Sequence, residues 1–193
     1  MQTLKQPASR RRLQRAPDFT GAELEHFSQV FLRHGLPFAL LGAALLLFPG
    51  FQSEALRTLA PMLANLPLYL LGGLVVFVGL ALYALYVQQS AAQLIWLLYL
   101  GALSAWEEWV FRVALPFGFA ELGMSWMLAV LLANVTFGAV HYFTLRWRWQ
   151  WCVGAFVGGL LLSRHLQQHS DLALLIVFHW IGTFINTPKR PGS

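Results

Sequence analysis

A chain of 193 residues has room for one domain, and 58% of this one is hydrophobic against only 11% charged. A soluble domain carries about 25% charged residues, so this chain lacks the charge to cover a water-facing surface, and lipid replaces water around most of it. The formal net charge of +5, from 13 Lys and Arg against 8 Asp and Glu, comes without a basic face interleaved with aromatics, which argues against nucleic acid as a partner. The single cysteine, Cys152, rules out an intrachain disulfide, and its apolar neighbours mark it as a packing residue.

Residues 1–27 are polar and basic and include the run Ser9-Arg10-Arg11-Arg12. The apolar stretch starts too far downstream for that run to be a twin-arginine signal, so the segment reads as a cytoplasmic tail touching anionic lipid, with no cleavable signal. Residues 28–193 read as one transmembrane domain with its motif-bearing core at 92–187. Six apolar blocks follow the tail: 31–48, ended by Pro49-Gly50; 66–87; 92–115, closed by Pro116 and Gly118; 125–143; 151–163; and 172–186. The segment 49–65 is expected to hold a short interfacial helix. A helix needs about 20 residues to cross a hydrocarbon core of ~30 Å, and backbone groups cannot stay unpaired in lipid. The expected fold is therefore all-α, a polytopic membrane bundle of about six transmembrane helices. The alternation of a membrane barrel is absent.

Orientation follows Lys and Arg. With six spans and the N-terminus inside, the inner segments hold Lys5, Arg10, Arg11, Arg12, Arg15, Arg33, Arg146, Arg148, Lys189 and Arg190, and the outer ones hold Arg57 and Arg164. This bias places both termini in the cytoplasm of a multi-pass cell-membrane protein.

Ionisable residues inside membrane helices are costly and persist when paired, hydrated or used. Three groups stand out. Glu107, Glu108 and Arg112 lie late in the third block, with Glu108 and Arg112 one turn apart and able to pair; Arg112 can neutralise one carboxylate well, which leaves one glutamate free for another role. A carboxylate in a dry cavity is a natural general base, although a buried ion cluster that only locks helices would look the same. Phe137 and His141 lie near the end of the fourth block, where Gly138 allows close helix approach. His179 sits in the middle of the sixth block, with Thr183 and Asn186 on its face, a set that could equally be interhelical glue. His26, His34, His165 and His169 read as interfacial or solvated.

Together these groups resemble the CPBP family of CAAX-processing and bacteriocin-processing intramembrane proteases, also called Abi. The family's EExxxR motif is matched by Glu107, Glu108 and Arg112, and its FxxxH motif by Phe137 and His141. Its histidine followed four residues later by Asn or Asp is matched by His179, with Thr183 in the amide position. The resemblance covers about residues 92–187. It implies a helical peptidase in which Glu107 activates water, His141 and His179 hold that water or stabilise the oxyanion, and Glu108 and Arg112 buttress the helix. Thr183 departs from the pattern, and Asn186 lies near the same face one turn further on.

Glu107, His141 and His179 could work without a cofactor, or could hold zinc, since two His and one Glu form a known ligand set. The metal-free mechanism is favoured. Serine catalysis through Ser104 is less favoured, because no histidine lies near it in sequence. The expected partners are the bilayer and a membrane-associated protein or peptide substrate. The rival class is a non-enzymatic transporter, immunity or scaffold protein on the same fold, for which inverted repeats are not visible.

Two geometric expectations follow. Glu107, His141 and His179 should converge on one polar cavity, with Arg112 meeting Glu108 or Glu107. Yet Glu107 lies about 22 Å along its helix from Ala92 at 1.5 Å per residue, while His141 lies almost at the end of its block. The expected remedy is that the helix of His141 continues past Phe143 to about Arg148.

Overall fold

The computed structural model describes residues 13–18, 24–88 and 90–191. The Ser9–Arg12 run and much of the basic tail lie outside these. Among the described residues there are seven helices and no strand: α1 (Phe27–Leu45), α2 (Pro49–Ala64), α3 (Leu66–Gln88), α4 (Ala92–Glu121), α5 (Trp126–Thr144), α6 (Trp149–His169) and α7 (Leu172–Asn186). The fold is a polytopic helical bundle. All six apolar blocks are helical, but only α3, α4 and α5 are each long and apolar enough to cross a membrane, and α1 with α2 makes a fourth if that bent pair is one span. The expected six full crossings are therefore not all met by length and composition, because α6 carries polar residues towards its end and α7 has 15 residues.

The segment 49–65 is helical for 16 residues, with Pro49 at its first turn, where a missing N–H costs nothing. It turns 106° from α1. Phe51 meets Phe117 edge-on at 5.1 Å and seats α2 against α4.

The third apolar block does not close at Pro116. Its helix passes through a π-helical turn at Trp109–Ala114, in which the Leu115 N–H reaches Val110 O, and resumes as Leu115–Glu121. Proline has no N–H to give to the carbonyl four residues back, and a π turn just upstream lets the helix absorb that loss. The stop comes at Gly123, whose φ of +88° and the bond from Met124 N–H to Phe119 O form a left-handed cap.

Helix α4 is the centre of the bundle. It supplies Trp109, Val110, Phe111, Val113 and Ala114 to one apolar core with Phe38, Phe137 and Leu175, and Trp96, Leu97 and Leu100 to a second with Val30, Ala84 and Phe184. Helix α5 packs on α6 through Gly138, where an added Cβ would come 2.9 Å from the carbonyl oxygen of Cys152. This is the close approach the sequence suggested. Cys152 itself is buried.

The helix of His141 ends at Thr144 and not near Arg148. The physical reason is the N-terminal segment. Gln14 forms an antiparallel bridge with Trp147, Arg15 N–H bonds Arg146 O at 2.8 Å, and Arg148 N–H bonds Leu13 O at 2.8 Å. Arg146 takes a left-handed φ of +57°, is fully buried and pairs with Asp18 at 3.0 Å. Extended pairing to residues 13–15 thus supplies the backbone partners that further helix would have supplied.

Candidate active site

Glu107 is 1% exposed in the middle of α4, with three imidazoles around its carboxylate. His34 Nε2 lies 2.7 Å from Oε1, His141 Nε2 lies 3.7 Å from Oε1, and His179 Nε2 lies 3.6 Å from Oε2. Each imidazole is fixed through its other nitrogen. His34 Nδ1 meets Thr144 Oγ1 at 2.6 Å, His141 Nδ1 meets Phe137 O at 2.7 Å, and His179 Nδ1 meets Glu108 Oε1 at 2.7 Å. Hydrogen bonds at Nδ1 set ring orientation and present Nε2 to the centre.

Glu108 and Arg112 pair as expected, at 3.4 Å between Oε2 and Nε, in an orientation that makes no hydrogen bond. The guanidinium lies over the Phe137 ring at 4.1 Å, a cation–π contact of the kind that is stronger when desolvated. Phe137 also meets His141 and His179 edge-on, at 4.6 and 5.8 Å. The two motifs are therefore one structure: Phe137 supports the cation of the first and orients the imidazole of the second. Gly159 leaves room for this group, because an added Cβ there would collide with Asn134 Oδ1 and come 2.9 Å from Arg112 Nη2.

The carboxylate and imidazoles sit on a cavity of about 540 Å³. Its walls are mostly apolar: Val30, Trp96, Leu100 and Leu103 on one side, and Leu13, Leu145, Trp147 and Trp151 on the other. Thr183, Asn186 and the segment Thr187–Lys189 line it too. Asn186 turns its amide back to Gly182 O at 2.9 Å. Glu107 and His141 lie side by side, and the unequal lengths of helix beyond them make this space. Helix α5 ends one turn beyond His141, whereas α4 runs on from Glu107 for about 22 Å towards Ala92, and the cavity fills the difference.

Several sequence expectations change here. His34 is neither interfacial nor solvated: it is fully buried and is the closest imidazole to Glu107. Its signal was present in the spacing of His34, Phe38 and Gly42, one helix face, where an added Cβ on Gly42 would come 2.6 Å from the Trp106 ring. Asn134, also unexpected, is buried beside Arg112 and donates to Ser163 Oγ at 2.9 Å. Ser104 is buried with no hydrogen-bond partner among the described residues, so no histidine activates it. Among the described residues, His34, Glu107 and His141 offer ligand atoms within 4.8 Å of one another, a different set from the Glu107, His141 and His179 expected for zinc.

The fold and site define a multi-pass membrane protein whose helices enclose a polar centre within an apolar cavity. Residues 88–185, just over half the chain, match the model of the Rce1-like family, the type II CAAX prenyl endopeptidases, and the chain belongs to that family. The family is one of proteases that act on membrane-associated proteins, and it agrees with the CPBP resemblance of the sequence motifs. No curated protein and no solved structure matches the chain.

Proposed function

We propose that this protein is an intramembrane endopeptidase that hydrolyses a peptide bond of a membrane-associated protein or peptide with water activated by Glu107. The observation that carries this is the ring of three Nε2 atoms around one buried carboxylate at the end of an apolar cavity. Water on Glu107 Oε2 gives up a proton to it, and the resulting hydroxide attacks the substrate carbonyl carbon. His141, with its Nδ1–H committed to Phe137 O, offers a bare Nε2 that accepts the second hydrogen of that water and aims it. His179, with its Nδ1–H given to Glu108, donates from a protonated Nε2 to the oxyanion, with Thr183 one turn away. The proton on Glu107 then passes to the leaving amine as the C–N bond breaks. Glu108, Arg112 and Phe137 hold these groups in place.

Metal-free hydrolysis is the mechanism we favour. Two ligands of one tetrahedral zinc ion, each bonded at 2.0–2.1 Å, would stand roughly 3.3 Å apart. His34 and Glu107 stand at 2.7 Å, a hydrogen-bond separation at which this pair does not share an ion, whereas His141 and His179, the histidines expected for zinc, lie 3.7 and 3.6 Å from the carboxylate and are spaced widely enough to do so. The Lys and Arg bias supports a cytoplasmic location for both termini, and residues 13–14 and 187–189, which line the same cavity, lie on one side of the bundle. The test is peptidase activity of the purified protein in detergent. Glu107→Ala should lose at least about 1,000-fold in kcat, as expected for a group acting only in the transition state. Equal activity of the two proteins, or none from either, sinks the peptidase assignment in favour of a non-enzymatic role.

A further inference from the structure

His34 lies outside every motif that marks this family and outside the 88–185 match, yet no imidazole is nearer the carboxylate. We propose that His34 is a positioning residue for the reaction: its Nε2 holds Glu107 Oε1 through one shared proton and leaves Oε2 as the atom that takes the proton from water. This rests on the peptidase assignment above.

The hydrogen-bond inventory forces the arrangement. Thr144 has one hydroxyl proton, and its Oγ1 lies 2.5 Å from Val140 O, a separation that needs a proton between the oxygens. The hydroxyl therefore donates to Val140 O, and at 2.6 Å it can only accept from His34 Nδ1–H. With Nδ1 protonated, the 2.7 Å contact between His34 Nε2 and Glu107 Oε1 holds a single proton, either as imidazolium and carboxylate or as imidazole and carboxylic acid. Both forms occupy Oε1 and fix the plane of the carboxylate. Only Oε2 remains, on the side of His179, whose Nε2 is 3.6 Å away.

The rest of α1 is arranged to keep His34 there. Arg33 donates to Phe143 O at 3.0 Å, at the end of the helix that carries His141 and Thr144. A Cβ on Gly35 would come 2.6 Å from the Tyr99 hydroxyl, so a larger residue here would have to displace the Tyr99 ring from between α1 and α4. His34 also meets Phe38 and His141 edge-on, at 4.9 and 5.1 Å.

The experiment compares four variants of the full chain in detergent: His34→Ala, His34→Gln, His34→Asn and Thr144→Val. The Gln amide nitrogen can stand where Nε2–H stood and donate to Glu107, whereas Asn reaches only the Nδ1 position. We expect His34→Ala and His34→Asn to lower kcat by about 100-fold, the scale of a group misplaced by an ångström, with KM unchanged. His34→Gln should recover most of that loss, and Thr144→Val should lower kcat to a smaller extent. In a Glu107→Ala background, His34→Ala should cost nothing further. Thermal unfolding and monodispersity report folding separately, and the Gln against Asn contrast survives even if the Ala variant does not fold. Equal activity of the Gln and Asn variants overturns the proposal. So does one equivalent of zinc retained by the wild type and lost on His34→Gln, because that result makes the residue a ligand. If Glu107→Ala is inert while His34→Ala and His34→Asn match the wild type, only this proposal fails and the peptidase assignment stands.

Discussion

Helices α3 and α4 are consecutive, both apolar and both long enough to span a membrane, but they are built for opposite purposes. Only 11% of the apolar window of α3 is buried inside the protein, against 56% for α4. Helix α3 carries no charged residue and turns Leu68, Leu70, Leu71, Leu74 and Val75 outward. It is tied in through Ala81, Ala84 and the Phe77–Trp180 stack, and through the hydroxyl of Tyr69, which donates to Asp171 at the start of α7. Helix α4 buries two carboxylates and a guanidinium, and the other polar groups of the site close around it. In lipid an apolar surface gains little from burial, so α3 needs no partners. A buried charge tolerates no such freedom, and each one on α4 fixes a neighbour.

That contrast is broken most forcefully at Arg112. Arg112→Met keeps much of the volume but leaves Glu108 buried with His179 as its remaining close partner among the described residues and removes the cation from the face of Phe137. Breaking a buried pair by removing one partner costs about 3–5 kcal/mol. We expect a loss of that size in thermal unfolding in detergent, together with loss of activity as His141 and His179 lose their support. A variant as stable as wild type would mean that the charge is not what holds α4 in the bundle.

Most of this division was legible in the sequence. The positions of the apolar blocks follow from hydropathy, and Glu107, Glu108, Arg112, His141 and His179 are conspicuous because charge and imidazole are rare in such blocks, whereas Phe137 stands out only through the family motif it shares with His141. What was not legible depended on contacts between distant segments. His34 follows Arg33 at the start of its block, where a histidine reads as interfacial; the face it shares with Phe38 and Gly42 marks a packed surface, but its partner Glu107 is 73 residues away. The end of α5 at Thr144 depends on pairing with residues 13–15, more than 120 residues earlier in the chain. Proline at 116 reads as a stop because local rules do not anticipate the π turn that carries the helix past it.

A smaller effect is expected where helices meet through glycine. Gly138→Ala would place a methyl group 2.9 Å from Cys152 O, and a main-chain oxygen inside a helix cannot swing away as a side chain could. Overpacking of this kind costs about 1–3 kcal/mol. The loss in unfolding temperature should come with a fall in activity, because His141 is one turn from the displaced contact. Unchanged stability would show that α5 and α6 slide freely past each other.

The least effect should come from α3, and its sign sharpens the contrast. An added Cβ on Gly72 or Gly79 meets nothing within 4 Å. In water, replacing such a helical glycine with alanine would stabilise by about 0.5–1 kcal/mol, because glycine gives up more backbone freedom on folding. In lipid much of that gain is gone, since a spanning segment with unpaired backbone is not an available alternative and the helix is already formed before the bundle assembles. The double variant Gly72→Ala and Gly79→Ala should therefore raise stability by between zero and about 1 kcal/mol and leave activity unchanged. A loss of stability in unfolding measurements would mean that this face of α3 packs against something that a single copy of the chain does not supply. The outward helix would then be a contact surface after all, and the difference between α3 and α4 would be one of partner rather than of purpose.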